Sequence, residues 1–273
     1  MSRASARRRR RDPRAVRVRH YAKLDRDRAR RVGVPEVILG EGKTVEHLLG
    51  IVDALAARGM GALISRPTSD QIRALRRHAR PRARGARPQI LAEGRLVRLP
   101  GPLGARYRHG VAAILTAGTS DVPLAEEARA LLVALGIRVV RQYDIGVAGL
   151  HRLLAALHRL EARRPEVYLV FAGREGALPT IVAGLVRAPV VGIPASIGYG
   201  RGGRGEAALN AMLQSCAPLA VVNIDAAIPA ALFAAQHFVD RATETSQRPV
   251  SRRTPPSPVG TTRGLRMTRE KGF

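Results

Sequence analysis

One thiol, two carboxylates and an imidazole carry most of the chemistry this chain could perform: Cys216, its single cysteine, Glu175 and Asp144, and His151. A thiolate can add to an electrophile and depart again, and a carboxylate or imidazole nearby can move the proton such a cycle requires. Glu175 lies in Ala172-Gly173-Arg174-Glu175-Gly176-Ala177, while Asp144 and His151 bracket Ile145-Gly146-Val147-Ala148-Gly149-Leu150. A further run, Ala117-Gly118-Thr119-Ser120-Asp121, is of a phosphate-binding kind. There Gly118 lets backbone N–H groups approach a ligand, and Thr119, Ser120 and Asp121 can hydrogen-bond phosphate or ribose. Each residue also has a plainer role: one glycine loop is often only a strand-to-helix turn. Glu175 could favour a helix first turn, Asp144 could end a strand, and Cys216 could be a small buried hydrophobe.

The elements that would position these residues repeat in one order. Apolar runs at 111–115, 137–143, 167–172, 190–193 and 219–224 read as strands, the third of them a continuous apolar run of the kind buried on both faces of a parallel sheet. Helices are expected after Pro123, with Leu124, Ala128, Leu131, Leu132 and Leu135 at helical spacing up to Gly136, and at 151–160, 178–186 and 206–214. This is a βαβ series, and in an open α/β sheet ligands sit outside the carboxyl ends of the strands. Loops 117–121, 144–151, 172–177 and 194–205 should therefore converge on one crevice. No G-x-G-x-x-G fingerprint with its following acidic residue and no Walker lysine occurs, which disfavours an ordinary Rossmann dehydrogenase or P-loop enzyme. Upstream, a helix at 44–57, a strand at 62–64, a helix at 69–79 and further short strands suggest a small α/β domain in which no chemistry is evident. Its Gly40-Glu41-Gly42-Lys43-Thr44 run reads as a turn and helix start.

These runs, with Gly176-Ala177-Leu178-Pro179, Ser196-Ile197-Gly198-Tyr199-Gly200, Ser215-Cys216 and Val222-Asn223-Ile224-Asp225, resemble the pyridinium-3,5-biscarboxylic acid mononucleotide synthases. Those enzymes begin the biosynthesis of the nickel-pincer nucleotide cofactor. Their C-terminal half is similar to the aminoimidazole ribonucleotide carboxylases and mutases of purine synthesis. Ala22-Lys23-Leu24-Asp25 and Gly33-Val34-Pro35-Glu36-Val37-Ile38, with the run at 40–44, match the N-terminal signature of the synthases, which the purine enzymes lack. The resemblance covers roughly residues 20–235. It implies an α/β fold whose C-terminal part is an open parallel sheet flanked by helices, flavodoxin-like and of the aminoimidazole ribonucleotide carboxylase type, behind a small N-terminal α/β domain. The expected boundaries are a disordered Arg-rich arm at 1–19, the N-terminal domain at 20–105, the catalytic domain at 106–240 and a disordered basic tail at 241–273.

The resemblance further implies carboxylation of the pyridinium ring of nicotinate adenine dinucleotide and hydrolysis of its phosphoanhydride, giving AMP and the biscarboxylated mononucleotide. It places Cys216 as nucleophile. A pyridinium ring is too electron-poor to attack carbon dioxide, and thiolate addition beside its nitrogen would make a nearby carbon enamine-like. Cys216 follows the end of a helix, where the macrodipole disfavours a thiolate, so the cationic ring itself is the natural source of activation. Glu175, Asp144 and His151 are the proton-handling candidates, with Glu175 preferred. Gly118, Thr119, Ser120, Asp121, Arg152, Gly173, Gly176, Ala177, Ser196 and Gly198 are expected to bind substrate, although Arg152 also suits a solvated helix face. The sequence departs from the family at Arg174, at Ala226-Ala227-Ile228 and in the basic loop Arg201-Gly202-Gly203-Arg204-Gly205.

Composition bounds the alternatives. The net charge is +26 over 273 residues, nearly all arginine, since Lys23, Lys43 and Lys271 are the only lysines. Such charge would ordinarily raise nucleic-acid binding, and an Arg-rich nucleic-acid-associated protein is the non-enzyme alternative. Much of the charge lies at the ends, however, and at 3% aromatic residues the chain has little with which to stack on bases. The enzyme alternative is a purine-type carboxylase or mutase. No run approaches the ~20 apolar residues that span a bilayer, and the arginine-rich start has no apolar segment behind it, so a cytoplasmic protein is expected. Magnesium carried by substrate phosphates is expected and nickel is not, since no His/Cys/Asp cluster has metal-ligand spacing. The purine relatives imply a homo-oligomer, up to an octamer, and no membrane partner.

Overall fold

The computed structural model describes residues 15–25, 27–78, 88–198 and 200–240. The tail expected at 241–273, most of the N-terminal arm, Ala79 and Tyr199 lie outside the described residues. Strands β1 (Ala15–Val18) and β2 (Ala22–Asp25) form an antiparallel hairpin. β1 falls within the stretch expected as a disordered arm; buried Val18 anchors it beside Leu24. A short helix α1 (Arg28–Val32) ends on Gly33, whose positive φ of 76° no β-carbon hinders.

The N-terminal domain continues with β3 (Val37–Leu39), α2 (Val45–Ala56), β4 (Ala62–Ser65), α3 (Ser69–His78), β5 (Gln89–Leu91) and β6 (Leu96–Leu99). Its sheet has the order β3-β4-β6-β5, with β3 and β4 parallel and the other pairs antiparallel. Strand alternation sends Ile64 and Val97 to the face covered by Leu48 and Ile51 of α2 and Leu75 of α3, and sends Leu63 and Leu96 to the opposite face. The run at 40–44 is a turn and helix start as expected: Thr44 Oγ1 accepts the His47 N–H, and Gln71 Nε2 donates to the carbonyls of Gly40 and Lys43.

The C-terminal part alternates β7 (Val111–Thr116), α4 (Val122–Ala134), β8 (Arg138–Gln142), α5 (Leu150–Glu161), β9 (Val167–Ala172), α6 (Ala177–Leu185), β10 (Val190–Pro194), α7 (Glu206–Leu213), β11 (Leu219–Val221) and α8 (Ala227–Gln236). All five strands are parallel in the order β11-β10-β9-β7-β8. This is the flavodoxin-like arrangement, with the strand order reversing between β7 and β9. β7 and β9 are buried along their whole length. Helices α4 and α8 cover one face through Ala125, Ala128, Leu131, Ala230, Ala231 and Ala234, small residues that let two helices approach closely. The other face is covered by α5, α6 and α7, including Leu153, Leu157, Leu178, Val182 and Met212. Leu63 and Leu96 join the α4 side of this core, so the two sheets share one apolar cluster.

Candidate active site

Four loops leave the carboxyl ends of the parallel strands beside the switch point, and backbone contacts tie each to the next. The first, after β7, makes a single tight turn at Thr119–Asp121 before α4. The Gly118 N–H donates to Asp121 Oδ2 at 2.8 Å, and the same carboxylate accepts from the Gly173 N–H in the loop after β9. Burial raises the Asp121 carboxyl above its ordinary range, the two backbone bonds oppose this, and the nearby Glu175 charge reinforces it. Asp121 is buried and serves the loops themselves. Thr119 and Ser120 beside it are exposed.

The second loop is held by Thr116 at the end of β7, whose Oγ1 accepts the Asp144 N–H at 3.1 Å and whose carbonyl accepts that of Ile145. Asp144 takes a left-handed φ of 55°, and Arg152 on the first turn of α5 donates to both its carbonyl and its Oδ2 at 3.0 Å. Both side chains are substantially exposed, so this ion pair orients more than it stabilises. His151 is exposed on the same first turn.

In the third loop Gly173 is packed so closely that a β-carbon would stand 2.4 Å from the Ile197 carbonyl, and one on Gly176 would stand 2.6 Å from that of Ala208. Gly176, with φ 64°, opens α6 at Ala177, while Arg174 and Glu175 between the glycines are exposed. The fourth loop begins where Ser196 donates its N–H to Asp225 Oδ1 at 2.9 Å, and Asp225 in turn donates its own N–H to the Pro194 carbonyl. A β-carbon on Gly198 would meet the Gly202 carbonyl at 2.8 Å, so the loop folds back on itself. Ala226 of the divergent 226–228 stretch occupies the cap position of α8 without a side-chain capping bond.

The carboxyl edge thus gathers Gly118, Thr119, Ser120, Asp121, Asp144, His151, Arg152, Gly173, Glu175, Gly176, Ala177, Ser196 and Gly198. It does not gather Cys216. α7 runs back from the crevice, and Cys216 lies in the turn that precedes β11, whose first residue Leu219 pairs with Val190, the first of β10. Since the crevice begins beyond Pro194 at the other end of β10, more than ~13 Å of strand separates it from this thiol in the same chain. Cys216 is exposed. Two residues that the sequence did not mark as site residues also border the crevice loops: Asp225, and Arg66 from the N-terminal domain, which donates to the Asp225 carbonyl at 3.1 Å. The pairing spans 159 residues and leaves no local pattern.

A second cluster underlies the end of β8. Glu126, buried on α4, accepts from Tyr143 Oη, from Arg129 Nε at 2.5 Å and from Arg141 Nη1 at 3.1 Å. Burial alone would raise its carboxyl, but these donors and the arginine charges hold it below its ordinary 4.5. Burial and the adjoining Glu126 carboxylate push the Tyr143 phenol up.

Among the described residues no group of three or more His, Cys, Asp or Glu could hold a metal ion, and no helix is long and apolar enough to cross a membrane. Residues 111–254 match the AIR carboxylase family, and residues 16–92 match a LarB/PurE-like N-terminal domain. An uncharacterized protein of Methanocaldococcus jannaschii is 38% identical over 221 residues, covering 78% of this chain and 82% of its own length. Two solved Treponema denticola structures, of PurE and of a substituted form of PurE2, are each 24% identical with a TM-score of 0.38, covering 51% of this chain and 92% and 91% of theirs. With more than half its length in the family domain, the chain belongs to the AIR carboxylase family and carries a LarB/PurE-like N-terminal domain ahead of it.

Proposed function

We propose that the protein carboxylates the pyridinium ring of nicotinate adenine dinucleotide and hydrolyses the phosphoanhydride, releasing AMP and pyridinium-3,5-biscarboxylic acid mononucleotide. The observation that carries this reading is the pairing of a LarB/PurE-like N-terminal domain with an AIR carboxylase domain in a chain that also offers an exposed thiol. The exposed hydroxyls and N–H groups of Thr119 and Ser120 and the exposed 174–175 turn at the start of α6 suit phosphate oxygens. Magnesium would travel with those phosphates.

In this mechanism the Cys216 thiolate adds to a ring carbon next to the nitrogen, and the ring's π electrons move so that a second carbon becomes enamine-like. That carbon attacks carbon dioxide, forming the new C–C bond. Glu175 then takes the proton from the carboxylated carbon, and the electrons of the broken C–H bond expel the thiolate and restore the aromatic ring. Water cleaves the phosphoanhydride in a separate step.

Because Cys216 lies at the amino edge of its own sheet, the working site is composite, with the thiol of one copy meeting the crevice of another. Leu185 and Leu213, exposed at the ends of α6 and α7 on the same edge as Cys216, provide an apolar contact surface for that second copy.

The separation of Cys216 from the crevice also favours a second reading, a carboxylase acting on aminoimidazole ribonucleotide. An aminoimidazole carbon is already enamine-like and needs no thiol. Incubating the purified protein with each candidate substrate and labelled bicarbonate separates the two: label entering the pyridinium nucleotide supports the first reading, and label entering the imidazole alone replaces it with the second.

A further inference from the structure

Arg66 carries the N-terminal domain to the edge of the crevice loops, where it meets Asp225. Arg66 follows β4 with a left-handed φ of 47°, strained for an arginine, and its N–H is fixed by the Arg95 carbonyl at 2.8 Å. Its guanidinium lies against Glu127, with Nε 3.1 and 2.9 Å from the two carboxylate oxygens and Nη2 2.9 Å from Oε2. Glu127 projects from α4 with 4% of its side chain exposed, so the acceptor is itself held in the core. The fork geometry leaves Nη2 directed also at the Asp225 carbonyl, 3.1 Å away.

Asp225 is strained in its turn, with φ 55°, and its carboxylate accepts the Ser196 N–H that opens the loop running to Gly205. Glu127, Arg66, Asp225 and Ser196 therefore form a continuous chain from the buried face of α4, through the N-terminal domain, to the start of that loop. A lysine at position 66 would keep the charge but lose the Nε contacts with Glu127 and the longer reach that places Nη2 between Glu127 and the Asp225 carbonyl.

We propose that Arg66 is a positioning residue: by holding the Asp225 carbonyl against Glu127 it sets the conformation in which Asp225 fixes Ser196 and the 196–205 loop. This gives the N-terminal domain a positioning role in the reaction. The proposal rests on 196–205 being a substrate loop, but its structural content can be measured without substrate.

The test is amide hydrogen exchange by mass spectrometry on the full chain, comparing wild type with Arg66→Lys, Arg66→Met and Arg95→Ala. Arg95 reaches the same carboxylate at 3.4 Å from an exposed position and has no contact with Asp225 among those described. Arg66→Lys and Arg66→Met should each speed exchange in peptides covering 196–205 roughly tenfold, the loss expected for one good hydrogen bond, with Arg95→Ala unchanged. In turnover, Arg66→Lys should raise KM for the nucleotide more than it lowers kcat. Wild-type exchange in the loop of folded Arg66→Lys, or equal acceleration by Arg95→Ala, would overturn the proposal. Failure of the substrate assignment would appear instead as a wild-type protein without turnover, whatever the exchange data say.

Discussion

Gly173 and Ile197 meet so closely that one methyl group cannot be inserted between them: a β-carbon on Gly173 would stand 2.4 Å from the Ile197 carbonyl oxygen. This contact locks the loop after β9 to the loop after β10 at the mouth of the crevice, while the Gly173 N–H ties the same loop to Asp121.

Gly173→Ala should therefore push the two loops apart. The opposing atom is backbone and cannot swing aside, so a destabilisation of about 1–3 kcal/mol is expected. Displacement of a binding loop by about 1 Å should cost on the order of a hundredfold in kcat/KM. Thermal unfolding and steady-state kinetics on the same preparation check both; near-normal activity would mean that the loops do not form the site.

Glu175 should behave differently. It is exposed between two constrained glycines, and its replacement by glutamine removes a proton acceptor without altering packing. If it takes the proton from the ring, Glu175→Gln should lower kcat about 10²–10⁴-fold with KM little changed. A change confined to KM would assign it to binding.

Glu126 offers a pH test of the fold. Its folded-state carboxyl is held below the ordinary 4.5, so its contribution to stability is complete above that value and is lost as pH falls through the lower folded value. Glu126→Gln should cost about 2 kcal/mol at neutral pH, as expected for a buried charged hydrogen-bond acceptor. Denaturant unfolding from pH 7 to pH 3 should then show the difference between variant and wild type shrinking. A gap that stays constant with pH would place the effect in packing.

Much of this arrangement is legible in the sequence because β7 and β9 are buried on both faces and so read as continuous apolar runs, and because Gly118, Gly136 and Gly176 punctuate helices at their ends. The 219–224 strand is shorter than expected, ending at Val221, since Asp225 turns out of the sheet to bond Ser196 and Pro194. α8 is nearly featureless in sequence, an alanine-rich run whose only pattern is its packing on α4. The β1 strand is hidden among arginines and is anchored by buried Val18. The place of Cys216 follows from topology, because a helix that leaves the carboxyl edge must deliver the next residues to the amino edge. The Arg66 link could not be read at all, because its partners lie 61 and 159 residues away.

That topology gives a complementation test. Cys216→Ala and Gly173→Ala should each be impaired alone, and mixed assemblies should regain activity, because some sites then pair an intact thiol with an intact crevice. Random mixing in equal amounts should restore about a quarter of the sites. Absence of any recovery in verified mixed assemblies would require the thiol and crevice of one site to come from one chain.

Carboxylation of a pyridinium nucleotide through Cys216 can be read straight from the products by mass spectrometry. Wild type and Cys216→Ala would be incubated in parallel with nicotinate adenine dinucleotide, labelled bicarbonate and magnesium. Wild type should yield labelled biscarboxylated mononucleotide together with AMP, and the variant neither. Labelled product from Cys216→Ala at the wild-type rate, or none from a folded, nucleotide-binding wild type, would rule out thiol-dependent pyridinium carboxylation.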